Sequence, residues 1–204
     1  MALLLPHSLF LHIPRTGGTW VRAAIHAAGI QTNEVAQSLA QKDGMLGSIK
    51  HAFLRELDDR CLFTFTFVRH PLAYYQSYWA YKMRRGPKDF NAFDAHHMHN
   101  DFCTFAWSVV RDYPGWLSDT YARYAGQDGK GVRFVGKLEQ LADDLVAALR
   151  LARERFDETM LRSVPPVNEA SALPGFRERC RYTRELAEAV CESEKEAMTL
   201  YGYE

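Results

Sequence analysis

The chain reads as an α/β fold, a short central parallel β-sheet flanked by helices, and three observations lead there. Three times a short apolar or β-branched run passes directly into helical periodicity: residues 8–13 into Val21, Ala24, Ile25 and Ala28, residues 61–68 into Leu72, Tyr75, Trp79 and Met83, and residues 132–135 into Leu138, Leu141, Leu145 and Leu149. Strand and helix alternating at this spacing favour parallel strands joined by helical crossovers. A chain of 204 residues with 47% apolar content is long enough for one well-buried core, so one domain spanning 1–204 is expected.

In order, residues 8–13 have the length and residue types of a buried strand. They enter a glycine turn, Pro14-Arg15-Thr16-Gly17-Gly18-Thr19-Trp20, and then a first helix ended by Gly29. Residues 31–47 are polar with two glycines and read as a connection holding a short helix around 34–42. Residues 48–51 suit a short strand and 52–57 a helical turn or two. Residues 61–68 (CLFTFTFV) are the strongest strand in the chain, with threonine as the sole polar residue type, as expected where both faces are covered. Pro71 opens the second helix at the position where proline is favoured. A loop is expected up to Asn100, a helix over 101–111 with Phe102, Phe105, Trp107 and Val109 or Val110 inward, and a turn at 113–116. A strand at 132–135 and its helix form the third unit, 153–162 reads as helical, and a final helix over 183–201 buries Leu186, Val190, Ala197, Leu200 and Tyr201, with Gly202 as its cap.

Composition narrows the function. Lys+Arg and Asp+Glu balance at 25 each, which argues against a general nucleic-acid or membrane-surface binder. No run approaches the ~20 apolar residues of a membrane-spanning helix. The apolar start, residues 1–6, lacks the basic flank of a signal peptide and feeds the first strand, so a cytoplasmic protein is expected. Cys61, Cys103, Cys180 and Cys191 show no CxxC spacing and read as free buried thiols. His96, His97 and His99 invite a metal reading, but in a loop without i, i+4 or separated carboxylate spacing they read as solvated, and no metal is expected.

The glycine turn carries the chemistry. A helix that starts there leaves its first backbone N–H groups unpaired, with the positive end of the helix dipole behind them. Arg15, Thr16 and Thr19 add donors, so the turn suits a phosphate or sulfate group. The junction at Arg69-His70-Pro71, with Ser77 two turns into the next helix, presents a second helix N-terminus and a second arginine. Two such junctions suit a ligand with two separated anionic groups, bound beyond the carboxyl ends of the strands. ATP with magnesium is disfavoured: the pattern G-x-x-x-x-G-K-[ST] would need a glycine at 12 or 13 and a Gly-Lys pair in this loop. Gly17-Gly18 also lacks the G-x-G-x-x-G spacing of a dinucleotide site.

His12-Ile-Pro-Arg-Thr-Gly-Gly-Thr19 resembles the 5′-phosphosulfate loop of sulfotransferases, above all the carbohydrate type with its HIPKTGGT pattern. Phe67-Val-Arg69-His-Pro71 with Ser77 is similar to that family's 3′-phosphate element, an arginine before proline and a serine eight residues on. Phe134-Val-Gly-Lys-Leu-Glu139, then Leu141 and Asp144-Leu145, is similar to its late "VGxLE" segment. Tyr201-Gly-Tyr203-Glu204 resembles how many members end. The matches run in the right order over most of the chain.

The resemblance implies a compact P-loop NTPase-like three-layer sandwich. It also implies sulfuryl transfer from 3′-phosphoadenosine-5′-phosphosulfate (PAPS) to a hydroxyl or amine of an acceptor, a carbohydrate being one candidate, without a metal. Arg15, Thr16, Gly17, Gly18, Thr19 and Trp20 would hold the 5′-phosphosulfate, and Arg69 and Ser77 the 3′-phosphate. Arg15 stands where the family has lysine and would meet the charge on the leaving group. A lysine ammonium and a guanidinium differ in shape and in proton donation. The base, a histidine in many members, comes from between the two phosphate elements, which singles out His51, with Glu56 in reserve. His26 lies inside the first helix, and His12 precedes the loop within a strand, where a structural role is expected. Adenine would pack on the loop over 162–177. Lys82, Arg84, Arg85 and Lys88 are candidate contacts for an acidic acceptor, although solvated helix-end charges explain them too. Two alternatives stay open: a nucleotide-binding, kinase-like phosphotransferase on the same architecture, and a non-catalytic protein that binds PAPS or its product, adenosine 3′,5′-bisphosphate (PAP).

Overall fold

The computed structural model describes residues 2–34, 62–86, 88, 91–167 and 173–203. They pack as two compact units, Met1–Arg69 with Tyr121–Val167, and His70–Thr120 with Asn168–Glu204.

The first unit is α/β. Its five-stranded sheet comprises β1 (Leu3–Leu4), β2 (Ser8–Leu11), β3 (Asn33–Glu34), β4 (Phe63–Val68) and β5 (Phe134–Lys137), in the order β3-β1-β2-β4-β5. The three strands expected from the repeated units form its parallel part, with Phe10 beside Phe65 and Thr66 beside Val135. The sheet as a whole is mixed, not parallel: β1 pairs antiparallel with both β2 and β3. The tight turn after β1 returns the chain beside it, and β3 lies in a stretch expected to be a connection. The expected helix over 34–42 otherwise lies outside the described residues, as do the elements expected over 48–57.

Alternation along β4 places Phe65 and Phe67 on one face, where Phe10 stacks on Phe65 at 5.4 Å and meets Phe67 edge-on at 5.9 Å. The threonines serve the ladder: Thr66 Oγ1 donates to Leu11 O at 2.6 Å, so a buried hydroxyl is satisfied across two strands. Helix α1 (Gly18–Ala27) buries Val21, Ala24 and Ile25, as its spacing predicts. Fully burying a Val or Ile side chain is worth ~1.5–3 kcal/mol, so this stripe fixes the helix on the sheet. Gly29, at φ +77°, closes it: its N–H donates to His26 O and that of Ile30 to Ile25 O.

Three helices predicted from sequence come out differently. In the first unit, α6 (Leu141–Leu151) begins after a 3₁₀ turn at Leu138–Gln140, and α7 covers only Glu158–Arg162 of the helix expected over 153–162. Arg153 is left-handed at φ +59° and ends α6. Glu154 is then turned away to accept hydrogen bonds from His7 N–H (2.9 Å) and Ser8 Oγ (2.7 Å), which hold the turn before β2.

In the second unit, α2 (Pro71–Arg85), α3 (Ala92–His97), α4 (Phe102–Asp112), α5 (Trp116–Ala125, continuing into the first unit), α8 (Phe176–Arg179), α9 (Arg184–Ser193) and α10 (Lys195–Leu200) surround an aromatic core. Tyr74, Tyr75, Trp79, Phe102 and Phe105 are all within 2% of full burial. Leu72 and Met83, expected in the apolar stripe of α2, are only half-buried, because Tyr74, Tyr75 and Tyr78 widen its buried face. Trp107, expected inward on α4, is exposed. The expected last helix is broken into α9 and α10 at Glu194, whose buried carboxylate accepts from Tyr75 OH, from the N–H groups of Leu117 and Ser118 and from Ser118 Oγ. It caps the start of α5, and burial beside it raises the Tyr75 hydroxyl well above its ordinary pKa. Leu200, expected inward, is exposed.

Candidate functional site

The loop between β2 and α1 is built by two glycines and a threonine. Thr16 is buried and its hydroxyl donates to Ile13 O at 2.8 Å, which closes the turn. Its side-chain proton is thereby committed within the protein. Gly17 has φ +87°, and a Cβ there would lie 2.7 Å from both Leu138 Cδ1 and Leu141 Cδ2. Gly18 has ordinary backbone angles but faces the His12 ring, whose atoms would lie 2.1 Å from a Cβ. Position 17 therefore needs glycine for its conformation and for its neighbours, and position 18 for the imidazole laid across it. His12 also stacks on Phe10 at 5.9 Å, which gives it the structural role expected of it.

The Val21 N–H donates to Gly17 O at 3.0 Å and opens the hydrogen bonding of α1; the N–H groups of Gly18, Thr19 and Trp20 precede that first intrahelical bond. Arg15 is left-handed at φ +68°. The start of α1 brings its first amide donors to the positive end of the helix dipole, with Arg15 part-exposed and Thr19 exposed beside it. Such a loop can hold a tetrahedral anion.

Arg69 meets this loop from the end of β4. Its Nη1 donates to Arg15 O at 3.3 Å, so two arginines 54 positions apart come together. Tyr121 fixes the backbone behind it: its OH accepts from Arg69 N–H at 2.9 Å and donates to Arg69 O at 2.6 Å. The guanidinium turns the Arg15 carbonyl dipole to account and carries a permanent positive charge to the loop.

The third motif packs on the first. Leu138 and Leu141 are the side chains against Gly17, and Gly136 leaves room for the Phe67 ring, which would lie 2.5 Å from a Cβ there. Asp144 Oδ2 accepts from Lys137 N–H at 2.6 Å and pins the turn between them. Trp20 is buried, and its Nε1 donates to Val164 O at 3.1 Å, so α1 is tied to the segment after α7 where adenine packing is expected.

Ser77 belongs to the second unit, fully buried on α2. The start of that helix is capped by His70, whose Nδ1 accepts from Leu72 N–H at 3.2 Å, and the His70 ring meets Tyr203 edge-on at 5.2 Å. His51 and Glu56 lie outside the described residues. Lys82 is no candidate for an acidic acceptor: it is buried and paired with the fully buried Asp94 at 2.5 Å, which also accepts from Tyr78 OH. Arg84, Arg85 and Lys88 are exposed.

Sequence reasoning missed Tyr121, because nothing in its local pattern distinguishes a tyrosine that holds a backbone 52 residues away. The histidines read as a solvated loop stand otherwise: His96 and His97 end α3, whose capping box joins Asn91 and Asp94, and His97 is buried. The described cysteines, Cys103, Cys180 and Cys191, are free, and burial pushes the Cys180 thiol up to about 12. Among the described residues no helix is long and apolar enough to cross a membrane. Comparison with protein-family models, with curated proteins and with solved structures returned no match to this chain.

Proposed function

We propose that this chain is a cytoplasmic PAPS-dependent sulfotransferase with a P-loop-type three-layer fold, transferring a sulfuryl group to a hydroxyl or amine of an acceptor. The observation that supports this most is the Arg69–Arg15 contact: the two motifs assigned to the two phosphates of PAPS meet at one amide-lined loop. The resemblance of four motifs in order supplies the choice of PAPS over other anions. Ser77 keeps its assignment to the 3′-phosphate through its spacing from Arg69.

In this reading the amides from Thr16 to Trp20 cradle the 5′-phosphate. The bond from sulfur to the bridging oxygen breaks while the acceptor oxygen or nitrogen bonds to sulfur in line. The acceptor proton passes to a base, His51, and the bridging oxygen leaves with PAP carrying the negative charge, which Arg15 meets. Little covalent work falls to the protein, so positioning and charge neutralisation do most of it. No metal is needed for these steps.

Arg15 favours one further reading. A guanidinium retains the charge for binding but not a lysine's proton, which suits a protein that binds PAP or PAPS without transfer. Incubation with radiolabelled PAPS and a panel of saccharide, phenol, sterol and amine acceptors separates the two. Labelled product supports the enzyme; saturable PAP binding with no product under any condition supports the binding protein.

A further inference from the structure

We propose that His96, His97 and Asp112 form a binding site for a divalent transition metal of the zinc class, which ties the end of α3 to the end of α4. One ligand atom from each residue lies within 4.8 Å of the others, all in the second unit. Neighbouring residues on a continuing helix diverge by about 100° and do not share a ligand. Here the helix stops at His97, with Met98 already extended at ψ 131°, and the two rings lie 4.6 Å apart at 88°.

The histidine at the centre is held for the task. His97 is buried against the Phe93 ring, centroids 4.6 Å apart, and its Nδ1 is 2.9 Å from Ser108 Oγ. That hydroxyl in turn donates to Asp112 Oδ2 at 3.4 Å, one helical turn further along α4. A hydrogen bond on one ring nitrogen, linked to a second ligand, is the arrangement that orients metal-binding imidazoles. Among the described residues, the ligand atoms that come within 4.8 Å of one another here are those of His96, His97 and Asp112, and His99 is not among them.

Two imidazoles and one carboxylate suit zinc, and nickel or copper, over magnesium or calcium, which demand oxygen ligands. With metal–ligand bonds of ~2 Å, tetrahedral ligand atoms stand roughly 3.3 Å apart, so from separations of up to 4.8 Å the site closes by up to about 1.5 Å. His96 and Asp112 are exposed and have the rotamer freedom for this. The competitor for Asp112 is Arg111, an adjacent residue whose side chain is 72% exposed and donates to both carboxylate oxygens, from Nε at 2.6 Å and Nη2 at 2.8 Å, so metal binding displaces or shares that solvent-screened pair. Three protein ligands leave a position for water, and the site owes nothing to the proposed sulfuryl transfer.

The test is calorimetric titration of the untagged, chelator-stripped full chain with zinc chloride, set beside magnesium chloride. One equivalent of zinc is expected to bind and to raise the melting temperature, with no response to magnesium. His96→Ala and Asp112→Asn, both at exposed positions, are each expected to weaken zinc binding at least tenfold while matching the wild-type melting curve in chelator. Absence of saturable zinc binding, an equal response to magnesium, or unchanged binding in both variants overturns the proposal.

Discussion

Gly17→Ala tests how the glycine loop is held. Two costs add at this position. The left-handed backbone, φ +87°, disfavours any residue with a Cβ by ~1–2 kcal/mol. The new Cβ would also sit 2.7 Å from Leu138 Cδ1 and Leu141 Cδ2, and forcing one carbon into a packed site costs about 1–3 kcal/mol. Gly29→Ala isolates the first cost, since Gly29 has φ +77° with nothing within 4 Å of its Cβ position. Chemical denaturation should therefore show a loss of about 2–5 kcal/mol for Gly17→Ala and about 1–2 kcal/mol for Gly29→Ala. In thermal melts of a chain this size, each kcal/mol corresponds to roughly 2–4 °C. Equal losses in the two variants would refute the claim that the leucines of the third motif pin the loop.

Three further outcomes follow from the same geometry. Arg69→Ala should weaken PAP binding at least tenfold, and Tyr121→Phe, which removes the hydroxyl that holds both backbone groups of Arg69, severalfold; unchanged calorimetric affinity in folded variants would contradict the role given to Arg69. Asp94→Ala should destabilise by about 3–5 kcal/mol, because it strands the buried Lys82 and removes the carboxylate half of the α3 capping box, while Lys82→Met should cost less, since Asp94 keeps its bonds from Tyr78 OH and Asn91 N–H; the reverse order in urea denaturation would refute this. Hydrogen bonds from Thr104 N–H, then from its hydroxyl, hold the Asp101 carboxyl below its ordinary pKa of 3.8, so the stability it adds is present above that pH and is lost as pH falls through the lower folded value. Asp101→Ala should accordingly cost ~1 kcal/mol at pH 7, and its difference from wild type should shrink below pH 3.8; a difference independent of pH would contradict the cap.

What the sequence made legible was local. The parallel strands, the first helix and its Gly29 cap depend on periodicity and on glycine's backbone freedom, both of which act within a few residues. The glycine turn was legible for the same reason: the left-handed backbone at Gly17 and the close approach at Gly18 belong to one turn. What escaped was decided across long separations. The break at Glu194 follows from a carboxylate taken by Tyr75 and Ser118, and the late start of α7 from the Glu154 carboxylate taken by His7 and Ser8. No helical pattern encodes such partners. Asp112 stands one helix beyond His96 and His97, so their cluster is invisible to spacing rules written for a single segment. Lys82 carried the same charge whether solvated or buried, and only the position of Asp94 decides which.

In the proposed function, the loop from Arg15 to Trp20, with Arg69, holds a PAPS-class nucleotide. Isothermal titration of the full chain with PAP in the absence of metal, compared with ATP plus magnesium, tests it most directly. Saturable one-to-one binding of PAP, much tighter than that of ATP with magnesium and lost in Arg69→Ala, is the predicted result. Tighter binding of ATP with magnesium, or no binding of PAP at all, would contradict it.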